Sequence, residues 1–312
     1  MFPRIVFFGT PVFAAQVLEA LVEAGVPIVG IVTQPDRPKG RSGAPTPSEV
    51  KGVAEAKLKG VPLLQPVKSS NAGFLAELKA LNADLYVVVA FGQILPQSLL
   101  DIPLLGCINV HASLLPKYRG AAPMQRALMH GEKQTGVAIQ KMVKELDAGN
   151  VIACSKVDVP EETTFGELYQ ALCDLSKPLL LSVLKEYARG VPPATPQDSS
   201  QITFAPKILP EETSIQWKRE ARELHNQIRA LSPRPGAWCW VGINGEKKRL
   251  KIFRTKIIAQ SGSPGQVLPL KDFVVACGNE SLQLIELQPE GKPRMRGSDW
   301  ARGLKTPPEF FS

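Results

Sequence analysis

Three observations in this chain of 312 residues predict an α/β protein in two parts. The opening alternates strand, helix and strand over residues 4–33. The most strand-like run, LYVVVAF at 85–91, is apolar throughout, as a central strand covered on both faces must be. A Pro-rich stretch, GVPPATPQDSS at 190–200, precedes five short strand-like runs. Together these predict a Rossmann-like, mostly parallel sheet domain at 1–189, a linker at 190–207 and a small OB-like β-barrel domain at 208–312.

Arg4 to Gly9 is a β-branched and aromatic run that stops at Gly9-Thr10-Pro11. Val12 to Ala24 repeats apolar residues at helical spacing, with Pro11 at the first turn and Gly25 past the end. Pro27 to Thr33 completes the β-α-β unit. Its single Gly9 falls short of a G-x-G-x-x-G fingerprint, which argues against a dinucleotide. Gln34 to Pro47 is a long loop rich in Pro, Gly and cations, among them Arg37, Lys39 and Arg41. A structureless loop of that length in a compact domain is either functional or a surface insertion. Helices are expected over Ser48–Lys59, with Ser48 as N-cap, and over Asn71–Leu81, with a short strand at Pro62–Gln65 between them.

The strand Leu85–Phe91 ends at Gly92, where a backbone can approach a ligand closely. Gly106 to His111 is a second apolar strand, but Asn109 and His111 sit two apart at its end and share one face. At the carboxyl end of a strand in an open α/β sheet, that face looks into the crevice where ligands bind. A turn-rich loop follows, Ser113-Leu114-Leu115-Pro116 and then Lys117-Tyr118-Arg119-Gly120. Ala122–His130 is expected to be a helix, and Thr135–Met142 and Val151–Val159 strands, with Asp147 in the polar loop between them. Periodicity does not say whether Asp147 reaches His111. Phe165–Arg189 is a long amphipathic helix with a break point at Pro178. After the linker come a helix at Ser214–Leu231 and strand-like runs at 237–243, 250–258, 265–268, 273–277 and 282–287. Trp238 and Trp240 alternate with Cys239, and one of the two indoles is expected in the barrel core.

Composition narrows the classes. At 44% hydrophobic residues the chain can bury a sizeable core, yet its apolar runs fall short of the roughly 18 residues of a membrane span. Met1 leads directly into a strand, so a cytoplasmic protein is expected. Cys107, Cys154, Cys173, Cys239 and Cys277 include no C-x-x-C, and with three histidines they offer neither metal spacing nor a disulfide framework; no metal is expected. Cys107, in an apolar strand, reads as a small buried thiol. The net charge of +8 is lopsided: residues 201–312 hold 18 Lys and Arg against 11 Asp and Glu. That excess points to an acidic macromolecule such as nucleic acid, with Lys247, Lys248, Arg249 and Lys251 in one hairpin-like segment.

FFGTP at 7–11, TQPDRPKGR at 33–41, VVVAFGQILP at 87–96, GCINVHASLLPKYRGAAPMQRAL at 106–128, LDAG at 146–149 and SPRPGAW at 232–238 carry a resemblance to the folate-dependent formyltransferases. The PDRPKGR loop and the basic second half are similar to the branch that acts on tRNA. The resemblance implies transfer of a formyl group from 10-formyltetrahydrofolate to the α-amino group of methionine on initiator tRNA. It implies Asn109, His111 and Asp147 as catalytic residues. It also implies folate contacts from Val89, Ala90, Phe91, Gly92, Ser113, Leu114, Leu115 and Pro116. Contacts to tRNA are implied for the loop of Arg37, Lys39 and Arg41, with phosphates gripped by the basic barrel. No feature demands a second subunit, so a monomer is expected. A formyltransferase for a small amine would share the first domain without needing the basic second half. A purely RNA-binding protein would leave Asn109, His111 and Asp147 without a task.

Overall fold

The computed structural model describes residues 2–38, 43–269, 272–304, 308 and 310–312 and divides into two compact units. Unit 1 is Met1–Gly120, Thr135–Val157 and Gln170–Phe204; unit 2 is Ala121–Gln134, Asp158–Tyr169 and Ala205–Ser312. The division therefore departs from a single cut at 190–207. Residues 121–134 join the C-terminal part because the helix Pro123–Met129 packs beside the helix Ala221–Leu231, where buried Arg229 donates from Nη2 to the Leu128 carbonyl (3.4 Å). Residues 190–204, expected as linker, pack within unit 1.

In unit 1 the chain runs β1 (Ile5–Gly9), α1 (Val12–Glu23), β2 (Ile28–Val32), a small hairpin of β3 (Arg37–Pro38) and β4 (Pro45–Thr46), α2 (Glu49–Lys57), β5 (Leu63–Leu64), α3 (Ala72–Ala80), β6 (Leu85–Val89), α4 (Gln97–Leu100) and β7 (Cys107–His111). After α5 (Pro123–Met129) come β8 (Gln134–Lys141), β9 (Val151–Asp158) and α6 (Phe165–Tyr187), which continues through Pro178. Ser48 and Asn71 cap α2 and α3 through their side chains, as their positions predict. The sheet order is β5-β2-β1-β6-β7-β8-β9, parallel from β5 to β7, with β8 antiparallel to β7. Strand order reverses between β1 and β6, so a crevice opens at their carboxyl ends. β1 and β6 are buried along their whole length, with Phe8, Tyr86 and Phe91 packing ring to ring on one side. Gly9 closes β1 because a Cβ there would come within 2.6 Å of the Ala14 Cβ and 3.1 Å of the Val89 carbonyl.

Unit 2 carries α7 (Ala221–Leu231) and an antiparallel sheet ordered β12-β13-β14-β11-β10-β16, with β15 on β14. Its strands are β10 (Ala237–Ile243), β11 (Glu246–Ile258), β12 (Val267–Leu268), β13 (Val274–Ala276), β14 (Ser281–Pro289), β15 (Met295–Arg296) and β16 (Phe310–Phe311). The sheet curls until its ends meet: Phe311 of β16 donates its N–H to the carbonyl of Gly265, just before β12 (3.2 Å). Joining the edges in this way leaves little unpaired strand for aggregation. Cys239, Val241, Leu250, Ile252, Leu282 and Leu284 fill the interior, covered by Leu224, Ile228 and Leu231 of α7. The helix is shorter than its apolar spacing predicts, because Ser214 and Ile215 lie extended against Trp238 and the Ile215 N–H is taken by its carbonyl (2.8 Å).

Candidate active site

The two partners of His111, Tyr118 and Asp147, both follow it in the chain, one in the loop after β7 and one in the turn between β8 and β9. Strand alternation at the end of β7 turns Asn109 and His111 to one face, and antiparallel pairing puts Gln140 of β8 opposite Asn109. His111 is 6% exposed. Its Nε2 donates to the Tyr118 carbonyl (2.9 Å), which leaves Nδ1 to face Oδ2 of Asp147 at 3.6 Å. That separation is longer than a direct hydrogen bond, so Nδ1 is left open to an incoming group.

Asp147 sits in the turn between β8 and β9 with φ +49°, a left-handed conformation rare for a residue with a side chain. The turn is held tightly. A Cβ on Gly149 would overlap the Lys141 carbonyl, and Lys141 donates its N–H to Asn150 (2.9 Å). The carboxylate accepts from Gln140 Nε2 at Oδ1 (2.8 Å), from Gly120 N–H at Oδ2 (2.9 Å) and, more loosely, from Asn109 Nδ2 at Oδ1 (3.4 Å). An amide, an imidazole and a carboxylate thus converge on one point. Such a set can stabilise a developing oxyanion and move a proton between nitrogens without forming a covalent bond to the protein.

Other expected site residues separate into groups. Val89 and Phe91 are buried, whereas Ala90 (φ +47°) and Gly92 (φ +88°) are exposed in left-handed turns, offering backbone rather than side chains to the crevice. Thr10 Oγ1 and Gln34 Nε2 both donate to the Phe91 carbonyl (2.8 and 3.2 Å) and fix that wall. Ser113 is fully buried and spends its hydroxyl on the Lys117 carbonyl (2.6 Å), so it shapes the loop, while Leu114, Leu115 and Pro116 are half-exposed. A cavity of about 300 Å³ beside Gly92 is lined by Thr10, Gln34, Pro35, Arg37, Thr46 and Ser48. Arg37 is exposed on the β3–β4 hairpin, whose base is tied by Asp36 to Lys51 (2.7 Å); Lys39 and Arg41 lie outside the described residues. Burial, with the nearby Asp101 charge second, pushes the Cys107 thiol up to about 12, which disqualifies it as a nucleophile at neutral pH.

On unit 2, Lys247, Lys248 and Arg249 are exposed near the tip of the β10–β11 hairpin. Trp238 and Trp240 are both half-buried on its outer face, and neither enters the core expected for one of them. The register turns Ala237, Cys239 and Val241 inward instead. Arg249 lies over Trp238 (4.2 Å) and Lys247 over Trp240 (5.4 Å), while Lys248 pairs with Glu246 (2.7 Å). Lys251 donates to the Pro235 carbonyl (2.9 Å), and partial burial, followed by Arg249 and Arg294, holds its ammonium below the usual lysine range.

Two further residues at the cluster carry no signal in the sequence. Gln140 looks like any polar residue of an alternating strand, and Gln197 falls in a Pro-rich stretch without period. Their roles depend on pairings that periodicity does not encode. Among the described residues, no group of three or more His, Cys, Asp or Glu is placed to hold a metal ion. No described helix is long and apolar enough to cross a membrane.

A parallel α/β sheet with this polar cluster at its crevice, followed by a barrel-like sheet, defines a class. The family pattern described as "Formyl transferase" matches residues 3–184, and "Formyl transferase, C-terminal domain" matches 207–305. A methionyl-tRNA formyltransferase of Protochlamydia amoebophila is 49% identical over 304 residues, 96% of this chain and 95% of that one. A methionyl-tRNA formyltransferase of Bacillus subtilis is 45% identical over 305 residues, 96% and 94% of the two chains. This chain therefore belongs to the methionyl-tRNA formyltransferase family.

Solved structures agree at the level of fold. An N-formyltransferase from Helicobacter canadensis, crystallised with folinic acid and dTDP-3-aminofucose, superposes with a TM-score of 0.66 at 17% identity over 90% of this chain and 99% of that one. HypX from Aquifex aeolicus in complex with tetrahydrofolic acid gives 0.65 at 18% identity, covering 97% of this chain but 47% of that longer one.

Proposed function

We propose that this chain transfers the formyl group of 10-formyltetrahydrofolate to the α-amino group of methionine carried by initiator tRNA. The observation that supports this most is the convergence of Asn109, His111 and Asp147 on one point at the end of β7. The methionine nitrogen attacks the formyl carbon, and the carbonyl electrons move onto oxygen. A second Asn109 amide hydrogen, beyond the one aimed at Asp147, stabilises that oxyanion as it forms. His111 adds the charge of a protonated ring, which Asp147 balances across 3.6 Å. As the carbon–nitrogen bond to the folate breaks, His111 Nδ1 gives its proton to the leaving nitrogen and is then reprotonated by the proton lost from the attacking amine. Formylmethionyl-tRNA and tetrahydrofolate result, so atoms and charge balance without a metal or covalent intermediate.

The folate would lie along the backbone of Val89 to Gly92 and the apolar edge of Leu114 to Pro116. The tRNA would be met by the loop bearing Arg37, Lys39 and Arg41 and by the hairpin cations Lys247, Lys248, Arg249 and Lys251. The test is a formyl-transfer assay with 10-formyltetrahydrofolate and three acceptors: charged initiator tRNA, uncharged initiator tRNA and free methionine. Transfer to the charged tRNA alone is expected. Transfer to free amines but not to tRNA would replace the macromolecular acceptor with a small one.

A further inference from the structure

Gln197 is fully engaged in a part of the chain that reads as linker. Its Oε1 accepts from Arg119 Nε (3.1 Å) and Nη2 (2.9 Å), and its Nε2 donates to the carbonyls of Asp147 (2.8 Å) and Gly149 (2.7 Å). Arg119 is itself 5% exposed, so the amide is oriented by a buried guanidinium whose planar fork has little freedom. Two residues earlier, Thr195 exchanges backbone hydrogen bonds with Val151 (2.8 and 2.9 Å), and this extended pairing delivers Gln197 over the turn that bears Asp147.

The same strand of chain holds the other partner of His111. Thr203 accepts the Tyr118 N–H at its Oγ1 (2.9 Å) and the Arg119 N–H at its carbonyl (2.9 Å). Tyr118 has φ +62° and presents the carbonyl that takes His111 Nε2. Residues 195–204 thus form a strap across both left-handed residues that face the imidazole. A strained residue keeps its geometry only where its surroundings over-determine it, and here one amide pins the first and third carbonyls that follow the Asp147 side chain.

We infer that Gln197 is a positioning residue for formyl transfer: by gripping the Asp147 and Gly149 carbonyls, with Arg119 orienting its amide, it holds the Asp147 carboxylate against His111 Nδ1. This rests on the formyl-transfer reading. A wild-type enzyme inactive on charged initiator tRNA would defeat that reading, whereas an active wild type with unaffected variants would defeat only this one.

The experiment uses full-length protein with Gln197→Glu and Gln197→Leu, each also in an Asp147→Asn background. Glutamate keeps the length of the side chain and strengthens the tie to Arg119, but it cannot donate to the two carbonyls. A merely structural anchor would lower the thermal midpoint in Gln197→Glu and leave the kcat of the folded protein unchanged; a positioning role lowers that kcat. The expected result is a fall in kcat of about 10- to 100-fold for Gln197→Glu, with KM for folate and tRNA within about twofold and the thermal midpoint near that of wild type. In the Asp147→Asn background, measured by single turnover, either Gln197 substitution is expected to cost less than about threefold, because residues that act through one group are not additive. Near-normal kcat in Gln197→Glu would overturn the inference. Losses that simply multiply with that of Asp147→Asn would do the same. If the leucine variant fails to fold, the glutamate variant and its double mutant still decide.

Discussion

His111 Nδ1 faces Asp147 Oδ2 at 3.6 Å, in a site where the imidazole is 6% and the carboxylate 11% exposed. Two groups so shielded from water interact with little screening, in an arrangement present before substrate arrives. Replacing Asp147 by Asn keeps the shape of the side chain and removes its charge. Turnover is expected to fall about 10²- to 10³-fold, with folate binding little changed. Single-turnover rates alongside equilibrium binding check this, and a loss confined to binding would contradict the charge-balancing role.

In the proposed mechanism Asn109 and His111 meet the same transition state from one strand face. Alanine at either position is expected to lower kcat roughly 10²-fold or more while leaving tRNA affinity within a small factor. Gel-shift or filter binding measured beside kcat separates the two effects. Near-normal turnover would remove the residue from the mechanism.

Gly149 admits no side chain, since a Cβ would overlap the Lys141 carbonyl. Gly149→Ala must therefore move the turn that carries Asp147. Loss of activity is expected to exceed the loss of thermal stability, and a variant with full activity would show that the turn has slack.

Lys247 and Arg249 are solvent-exposed, so the tRNA contacts proposed for them should be electrostatic and salt-dependent. For each of Lys247 and Arg249 changed to Ala, the slope of log K against log salt is expected to flatten by about one unit if that cation meets a phosphate. Weakening that does not vary with salt would instead indicate base stacking on the uncovered Trp240 or Trp238.

His225, on α7, is buried and satisfied in its neutral form: Nδ1 accepts from Thr255 Oγ1 (2.9 Å) and Nε2 donates to the Glu161 carbonyl (3.1 Å). Burial is the main cause that lowers its value from 6.5 to about 4, helped by Arg229 and Arg222 and opposed by Glu162. Between those values the unfolded chain binds a proton that the folded one refuses, so stability rises with pH and is lost as pH falls from 6.5 toward 4. The full effect is on the order of 3 kcal/mol by linkage. Denaturant midpoints at pH 7, 5.5 and 4.5, taken as about the range that brackets this titration, should fall more steeply for wild type than for His225→Gln. Parallel curves would show that His225 is not the group responsible.

Much of unit 1 was legible because its signals are local. The apolar runs at β1, β6 and β7, the caps Ser48 and Asn71, and the two-residue spacing of Asn109 and His111 are set by period and by turn chemistry within a few residues. The barrel strands of unit 2 were legible for the same reason, as alternation between breakers. Asp147 could be placed in a polar turn, and the family resemblance singled it out, but its distance to His111 is a long-range fact.

What only tertiary structure decided are the pairings. Gln140 became a partner of Asp147 when β8 paired with β7 in a particular register. Gln197 became one when a Pro-rich stretch, lacking any periodic reason to be ordered, bridged to Val151. Trp238 and Trp240 faced outward because the β10–β11 register sends Cys239 inward. Residues 121–134 and 158–169 joined the C-terminal residues through packing with α7, which no local composition announces. Sequence by itself determines element type and face through short-range sterics and burial; which distant faces meet is settled by a shared core, where each pairing depends on all the others at once.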